Sequence, residues 1–158
     1  MKKIVLLPHS FKKYGWLLFG MGGVTGILLM TGQIELNFLN MNTFALIHGE
    51  LFQKLEYFTW IENNMALTFT ALVFILGALI IAFSKEKVED EFIQNMRLRS
   101  FQWSVVANYS ILFVAFLTVY GIAFFTLISI QLFLVIILFI LRFHYLMYIN
   151  NRGLQDEK

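Results

Sequence analysis

The sequence predicts an all-α membrane protein with four transmembrane helices, both termini cytoplasmic, and a small extracytoplasmic segment between helices 1 and 2. Three observations lead there. The 158 residues are 59 % hydrophobic and only 14 % charged, well to the apolar side of soluble domains. Four windows are long and apolar enough to cross a hydrocarbon core, which takes about 20 residues of helix. The Lys and Arg residues also fall on alternate sides of those windows, as the positive-inside bias requires. The length is that of one integral domain, 1–158.

The windows are 14–32, 65–83, 101–125 and 130–149. The last two are separated only by the weakly polar Thr126 to Ser129, and together they are far too long for one crossing. They are therefore expected to form a tight hairpin. Lys2, Lys3, Lys12 and Lys13 precede the first window; Lys85, Lys87, Arg97 and Arg99 lie between the second and third; Arg152 and Lys158 follow the fourth. Segment 33–64 has Lys54 alone, against Glu35, Glu50, Glu56 and Glu62. That distribution puts both termini and the charged stretch in the cytoplasm and segment 33–64 outside. The opening "MKKIVLLPHS" has a basic start, but its apolar run is too short for a secretory signal and is expected to be retained.

Within the outer segment, "IELNFLNMNTFALI" alternates at first and has Asn40 and Asn42 at a plausible turn, which predicts two short strands. "ELFQKLEYFTWI" places Leu51, Phe52, Leu55 and Phe58 at helical spacing, which predicts an amphipathic helix on the outer interface. A ligand-binding cap is the alternative reading of this segment.

Composition excludes several kinds of chemistry. There are no cysteines, hence no disulfides, thiolate metal sites or thiol relay. A net charge of +2 with dispersed basic residues gives no basis for nucleic-acid binding. None of the four windows contains Asp or Glu, which argues against a proton-coupled carrier or an aspartyl protease built around a membrane carboxylate. His9, His48 and His144 are too scattered to predict a metal or haem site, so no cofactor is expected. No P-loop, nucleophile elbow, HExxH or dinucleotide fingerprint occurs, and no catalytic residue is assigned.

Three groups of residues remain as candidates. Arg142 sits about 10 Å inside the fourth window, by helical rise from its cytoplasmic end, and Asn108 lies at a similar depth in the third. Arg142 is expected to make a structural polar contact with Asn108, or with an acid of the stretch Ser84 to Ser100. Gly22 and Gly26 have the small-xxx-small spacing of a helix-packing face. The third group is the stretch "SKEKVEDEFIQNMRLRS", Ser84 to Ser100, which holds eight of the chain's twenty-two charged residues.

A chain reversal must occur in this stretch, near Ser84 to Glu86 or near Gln94 and Asn95. The first placement is preferred. It gives the third helix a cytoplasmic extension over about 86–100, with Glu89, Asp90 and Glu91 in its first turns, where negative charge complements the helix dipole. Val88, Phe92 and Met96 then form an apolar stripe that needs cover from the N-terminal arm, the C-terminal end or another chain. These three, with Glu89, Asp90 and Glu91, are the candidate interaction surface.

The segments "PHSFKKYGW", "IENN", "AFSKEKVEDEFI" and "LRSFQWSVVANY" resemble a group of small four-helix inner-membrane proteins of Bacteroidetes-type bacteria, over almost the whole chain. The resemblance implies a bacterial inner-membrane location and transfers no activity and no catalytic residue. The function expected from the sequence is a multi-pass membrane interaction or regulatory protein. Its partners would be the lipid bilayer and either a second copy or a cytoplasmic protein. An oligomeric channel or transporter using Ser104, Asn108, Thr118 and Arg142 is the alternative. A lipid-acting enzyme at the cytoplasmic interface is third.

Overall fold

A computed structural model describes residues 6–49 and 54–156 of the chain. The elements in order are α1 (Phe11–Met30), β1 (Asn40–His48), β2 (Glu56–Asn64), α2 (Ala66–Phe83), α3 (Glu91–Thr118) and α4 (Ile122–Asp156). All four helices are long and apolar enough to span a bilayer. Between 11 and 28 % of each helix's apolar window is buried in the protein, so most of the Leu, Ile and Phe side chains point outward. Water would tolerate no such surface, whereas hydrocarbon requires it. The fold is mostly helical and fits a membrane protein.

Helices α1 and α2 pack antiparallel along a seam of small residues. A Cβ added at Gly22 would lie 2.7 Å from the backbone nitrogen of Phe74, and one at Gly77 would lie 2.9 Å from the carbonyl oxygen of Gly15. Backbone therefore approaches backbone, which is how helices gain contact where lipid supplies no hydrophobic drive. At Gly26 the neighbour is Thr70 Cγ2 at 3.4 Å, an ordinary contact. Gly22 and Gly26 thus both face α2 of the same chain.

The reversal between α3 and α4 lies at Val119 to Gly121, with Gly121 at φ +71°, a conformation that favours glycine. This departs from the expected turn at Thr126 to Ser129, which instead falls within the first turns of α4. Those polar side chains do not break the helix because a membrane helix can take their hydroxyls inward, as Ser129 Oγ shows by donating to the Phe125 carbonyl at 3.0 Å. Along α3 the face toward the bundle carries Ile93, Met96, Ser100, Ser104, Asn108 and Ala115, all buried, mostly small side chains at helical spacing. The core gathers at one end, where Ala78, Ile81 and Ala82 of α2 and Ile93 and Met96 of α3 meet Phe139, Ile140 and Phe143 of α4.

At the opposite end, β1 and β2 form an antiparallel hairpin. Its register sets Phe44 opposite Trp60 and Thr43 opposite Ile61. Two sequence expectations are corrected here. Asn40 and Asn42 lie inside β1 and not at a turn, and Glu56 to Ile61 is a strand and not a helix. Of the rest of the expected amphipathic helix, Lys54 and Leu55 are not helical, and residues 50–53 lie outside the described residues. Cross-strand pairing overrides the helical spacing because Tyr57, Phe58, Thr59, Trp60 and Ile61 are all good strand formers. The Phe44 and Trp60 rings lie 5.4 Å apart, an aromatic pair worth about 0.2–1 kcal/mol over Ala–Ala. Asn64 fastens the hairpin to the bundle, since its Oδ1 accepts from Ala66 N–H at 2.9 Å and its Nδ2 donates to the Leu36 carbonyl at 3.3 Å.

Candidate functional site: a latched bundle end and its apolar crevice

The charged end of the bundle is built from the N-terminal arm, the α2–α3 connection, and the ends of α1, α3 and α4. Pro8 restricts Leu7 to an extended conformation, and Ser84, just after α2, is extended at ψ 145°. Two extended residues can pair, and they do. Leu7 N–H donates to the Phe83 carbonyl at 2.8 Å, and Lys85 N–H donates to the Leu7 carbonyl at 2.9 Å, making a parallel bridge between Leu7 and Ser84. His9 Nδ1–H adds a bond to the Lys85 carbonyl at 2.9 Å.

Two ion pairs lock this arrangement. Lys12 of α1 is paired with Glu86, their side chains 12 % and 10 % exposed. Arg97 of α3 donates from Nη2 to Glu89 at 3.2 Å. The same guanidinium donates from Nη1 to the Ala82 carbonyl at 2.6 Å and to the Ser84 carbonyl at 3.2 Å, and lies over the Phe143 ring, 4.9 Å from its centroid. The last carbonyls of a helix have no partner within it and carry partial negative charge. Arg97 is thus the C-terminal cap of α2, supplied from the next helix.

The charged stretch reverses at its Ser84 end, and α3 begins at Glu91. The helical extension is consequently shorter than 86–100. The reason is local: Asp90 is the N-cap, its Oδ1 accepting from Ile93 N–H at 2.8 Å, so a helix cannot run through it. Glu89 also accepts from Glu86 N–H at 2.9 Å. Of the three acids expected together, Glu89 is in an ion pair, Asp90 caps a helix, and Glu91 is exposed in the first turn.

The expected stripe of Val88, Phe92 and Met96 is divided. Val88 precedes the helix and is 71 % exposed, Phe92 is 53 % exposed, and Met96 is 8 % exposed and belongs to the core. Ile93, beside the expected stripe, is buried with Met96. Val88 and Phe92 are what remains of an apolar surface at this end.

Asn108 and Arg142 do not meet. The Asn108 backbone carbonyl accepts from Gln131 Nε2 at 2.7 Å, and Arg142 lies over Trp103, 4.7 Å from the indole ring centroid. The cause is the position of the turn. Reversing at Val119 to Gly121 shifts α4 relative to α3, bringing Gln131 to the level of Asn108 and Phe139 to that of Phe101, with ring centroids 6.1 Å apart. The other polar groups of the expected path also bond to their own helix: Ser104 Oγ donates to the Phe101 carbonyl and Thr118 Oγ1 to the Val114 carbonyl.

His144 Nδ1–H donates to the Ile140 carbonyl at 2.8 Å, and its ring meets Trp16 edge-on at 5.3 Å. Its Nε2 is buried and has no hydrogen-bond partner among the described residues. No three His, Asp or Glu side chains among those residues converge on a point that could hold a metal ion.

Beside the latch lies a crevice of about 500 Å³, with walls from α2 and α3 and a floor from α4. Leu79 and Ala82, Leu98 and Phe101, and Val135 and Phe139 line it, in that order of helices. Glu89, Gln94 and Arg97 stand at one end. It exists because the backbones of α2 and α3 each lie closer to α4 than to one another, and side chains join the two helices at the latched end, where Arg97 reaches the Ala82 carbonyl. Sequence reasoning missed it, along with Arg97 and Lys12 as internal partners. The only signal was the extended Leu7–Pro8 pair ahead of α1.

No protein-family model, curated protein or solved structure matches this chain. The fold and the site together define a class, a mostly helical protein with four helices long and apolar enough to cross a membrane and one end latched by its own chain.

Proposed function

We propose that the protein is a non-enzymatic, multi-pass interaction or regulatory protein of a bacterial inner membrane, with both termini in the cytoplasm. The observation that supports this reading is the use made of the charged end. Lys12, Glu86, Glu89, Asp90 and Arg97 all engage the chain's own backbone or one another, whereas Val88 and Phe92 beside them are exposed. The ionic groups hold a shape, and the shape presents an apolar contact. In the cytoplasm, exposed Val88 on the α2–α3 connection and exposed Phe92 in the first turn of α3 are a small docking point for a second copy or a cytoplasmic protein.

The orientation is supported by the clustering of Lys12, Lys13, Lys85, Lys87 and Arg99 at one end of the helices and of Glu35, Glu56 and Glu62 around the other. A photoreactive side chain placed at Val88 or at Phe92 tests the contact in intact cells. A discrete protein adduct, to this chain or another, is expected from both positions and should disappear when the unlabelled position is changed to Asp. Adducts to lipid or water alone from both positions would overturn the reading.

A further inference from the structure

We propose that the crevice between α2 and α3 is a lipid site, holding an acyl chain of a bilayer phospholipid whose headgroup rests at Gln94 and the Glu89–Arg97 pair. The proposal rests on the membrane placement of the helices but not on the protein contact above, which uses other residues.

Polarity, length and access all point to this occupant. The walls are aliphatic and aromatic along the helices, while the polar groups are confined to the end that carries the bundle's charges. That is the polarity profile of an amphiphile lying parallel to the spans. Water filling such a space would find few polar partners, and an empty space would forfeit its dispersion contacts. The lining runs from Leu132 to Phe139 on α4 and from Gln94 to Phe101 on α3, which is ~10 Å of helix at 1.5 Å per residue. An extended hydrocarbon chain lying parallel to the helices follows that groove and covers its apolar walls.

Access is lateral. Phe83, Leu98, Phe101 and Leu132 at the rim are all exposed, so the opening faces the medium in which the spans lie. The mouth sets no net charge against a headgroup, because Glu89 and Arg97 neutralise one another. Its exposed Gln94 carries both a donor and an acceptor.

The test is lipid retention by the full-length protein. Protein reconstituted in vesicles of phosphatidylethanolamine, or separately of phosphatidylglycerol, is extracted in mild detergent and weighed intact by native mass spectrometry. The wild type should retain a phospholipid from at least one of the two vesicles. Val135→Trp, which fills the crevice floor, should lower the retained fraction about tenfold, equivalent to about 1.4 kcal/mol. Ile111→Trp, on the exposed face of α3 away from the crevice, should not.

Equal retention by Val135→Trp and wild type, or no retention from either vesicle, would overturn the proposal. If Val135→Trp does not fold, a photoreactive benzoylphenylalanine at Leu98 decides the matter. It should label a phospholipid chain in the membrane, and labelling of protein instead would refute the lipid site. Failure of the Val88 and Phe92 adducts would leave this result untouched.

Discussion

The Arg97 guanidinium closes the C-terminus of α2 by donating to the Ala82 carbonyl at 2.6 Å while holding Glu89 at 3.2 Å. One side chain of α3 thereby satisfies a helix end, an acid and the turn between them. Arg97→Leu removes all of these and leaves Glu89 half-buried and uncompensated. It should lower stability by about 3–5 kcal/mol, the usual result of removing one partner from a desolvated pair. Arg97→Lys should recover only part of that, because an ammonium cannot span carbonyl and carboxylate acceptors as a planar fork does. Reversible unfolding in mixed micelles, followed by circular dichroism, measures both. A lysine variant as stable as wild type would show that charge alone, and not the capping geometry, is what Arg97 supplies.

Gly22 gives a second prediction. Its Cβ would meet the Phe74 backbone at 2.7 and 2.8 Å, and backbone cannot step aside, whereas nothing lies within 4 Å of a Cβ at Gly20. Gly22→Ala should therefore destabilise by about 1–3 kcal/mol through overpacking, and Gly20→Ala should be neutral or slightly stabilising. The two substitutions add the same atom to the same helix, so the same micelle titration compares them directly. If Gly22→Ala changed the oligomeric state and left monomer stability alone, the seam would lie between chains.

The four long apolar helices were legible because hydropathy over 20 residues is a coarse quantity that small errors in boundaries do not disturb. Which residues meet across helices was not, because that depends on the turn. Nothing in the local sequence forced a reversal at Gly121 in preference to the polar Thr126 to Ser129. The choice depends on a positive φ that only the folded chain displays. The hairpin was hidden for a related reason. Leu51, Phe52, Leu55 and Phe58 satisfy a helical period, and the pairing of Trp60 with Phe44 is a tertiary fact. The latch was read only in part: the acids were placed at the start of α3, where Asp90 instead caps the helix, and Lys12 and Glu86 are too far apart in sequence for any local rule to join them.

The register of α3 against α4 makes a third prediction. Arg142 lies 4.7 Å from the Trp103 ring centroid, so a double-mutant cycle with Arg142→Leu and Trp103→Leu should give a coupling of about 0.5–2 kcal/mol, the range of a cation–π contact from exposed to desolvated. The corresponding cycle of Arg142→Leu with Asn108→Leu should be additive within about 0.5 kcal/mol, as for residues that share no partner. Coupling to Asn108 and not to Trp103 would mean that α4 is displaced along α3 from the position described.

Phe58 sits in β2 at φ +55°, where an L-residue other than Gly, Asn or Asp is strained by roughly 1–2 kcal/mol. Its ring is exposed and only loosely paired with Phe44, the centroids 6.4 Å apart, so little packing offsets the strain. A two-stranded hairpin has little stability to spare, and local strain should be visible as local opening. Phe58→Asn keeps the backbone conformation at lower cost, since Asn is several-fold enriched at positive φ. It should slow amide exchange across β1 and β2 by about fivefold, the effect of ~1 kcal/mol on a local equilibrium. Phe58→Leu, equally strained and also apolar, should not slow it. Hydrogen exchange read by mass spectrometry on peptides from both strands separates the two, and equal slowing by Asn and Leu would show that loss of the aromatic ring, and not relief of the backbone, stabilises the hairpin.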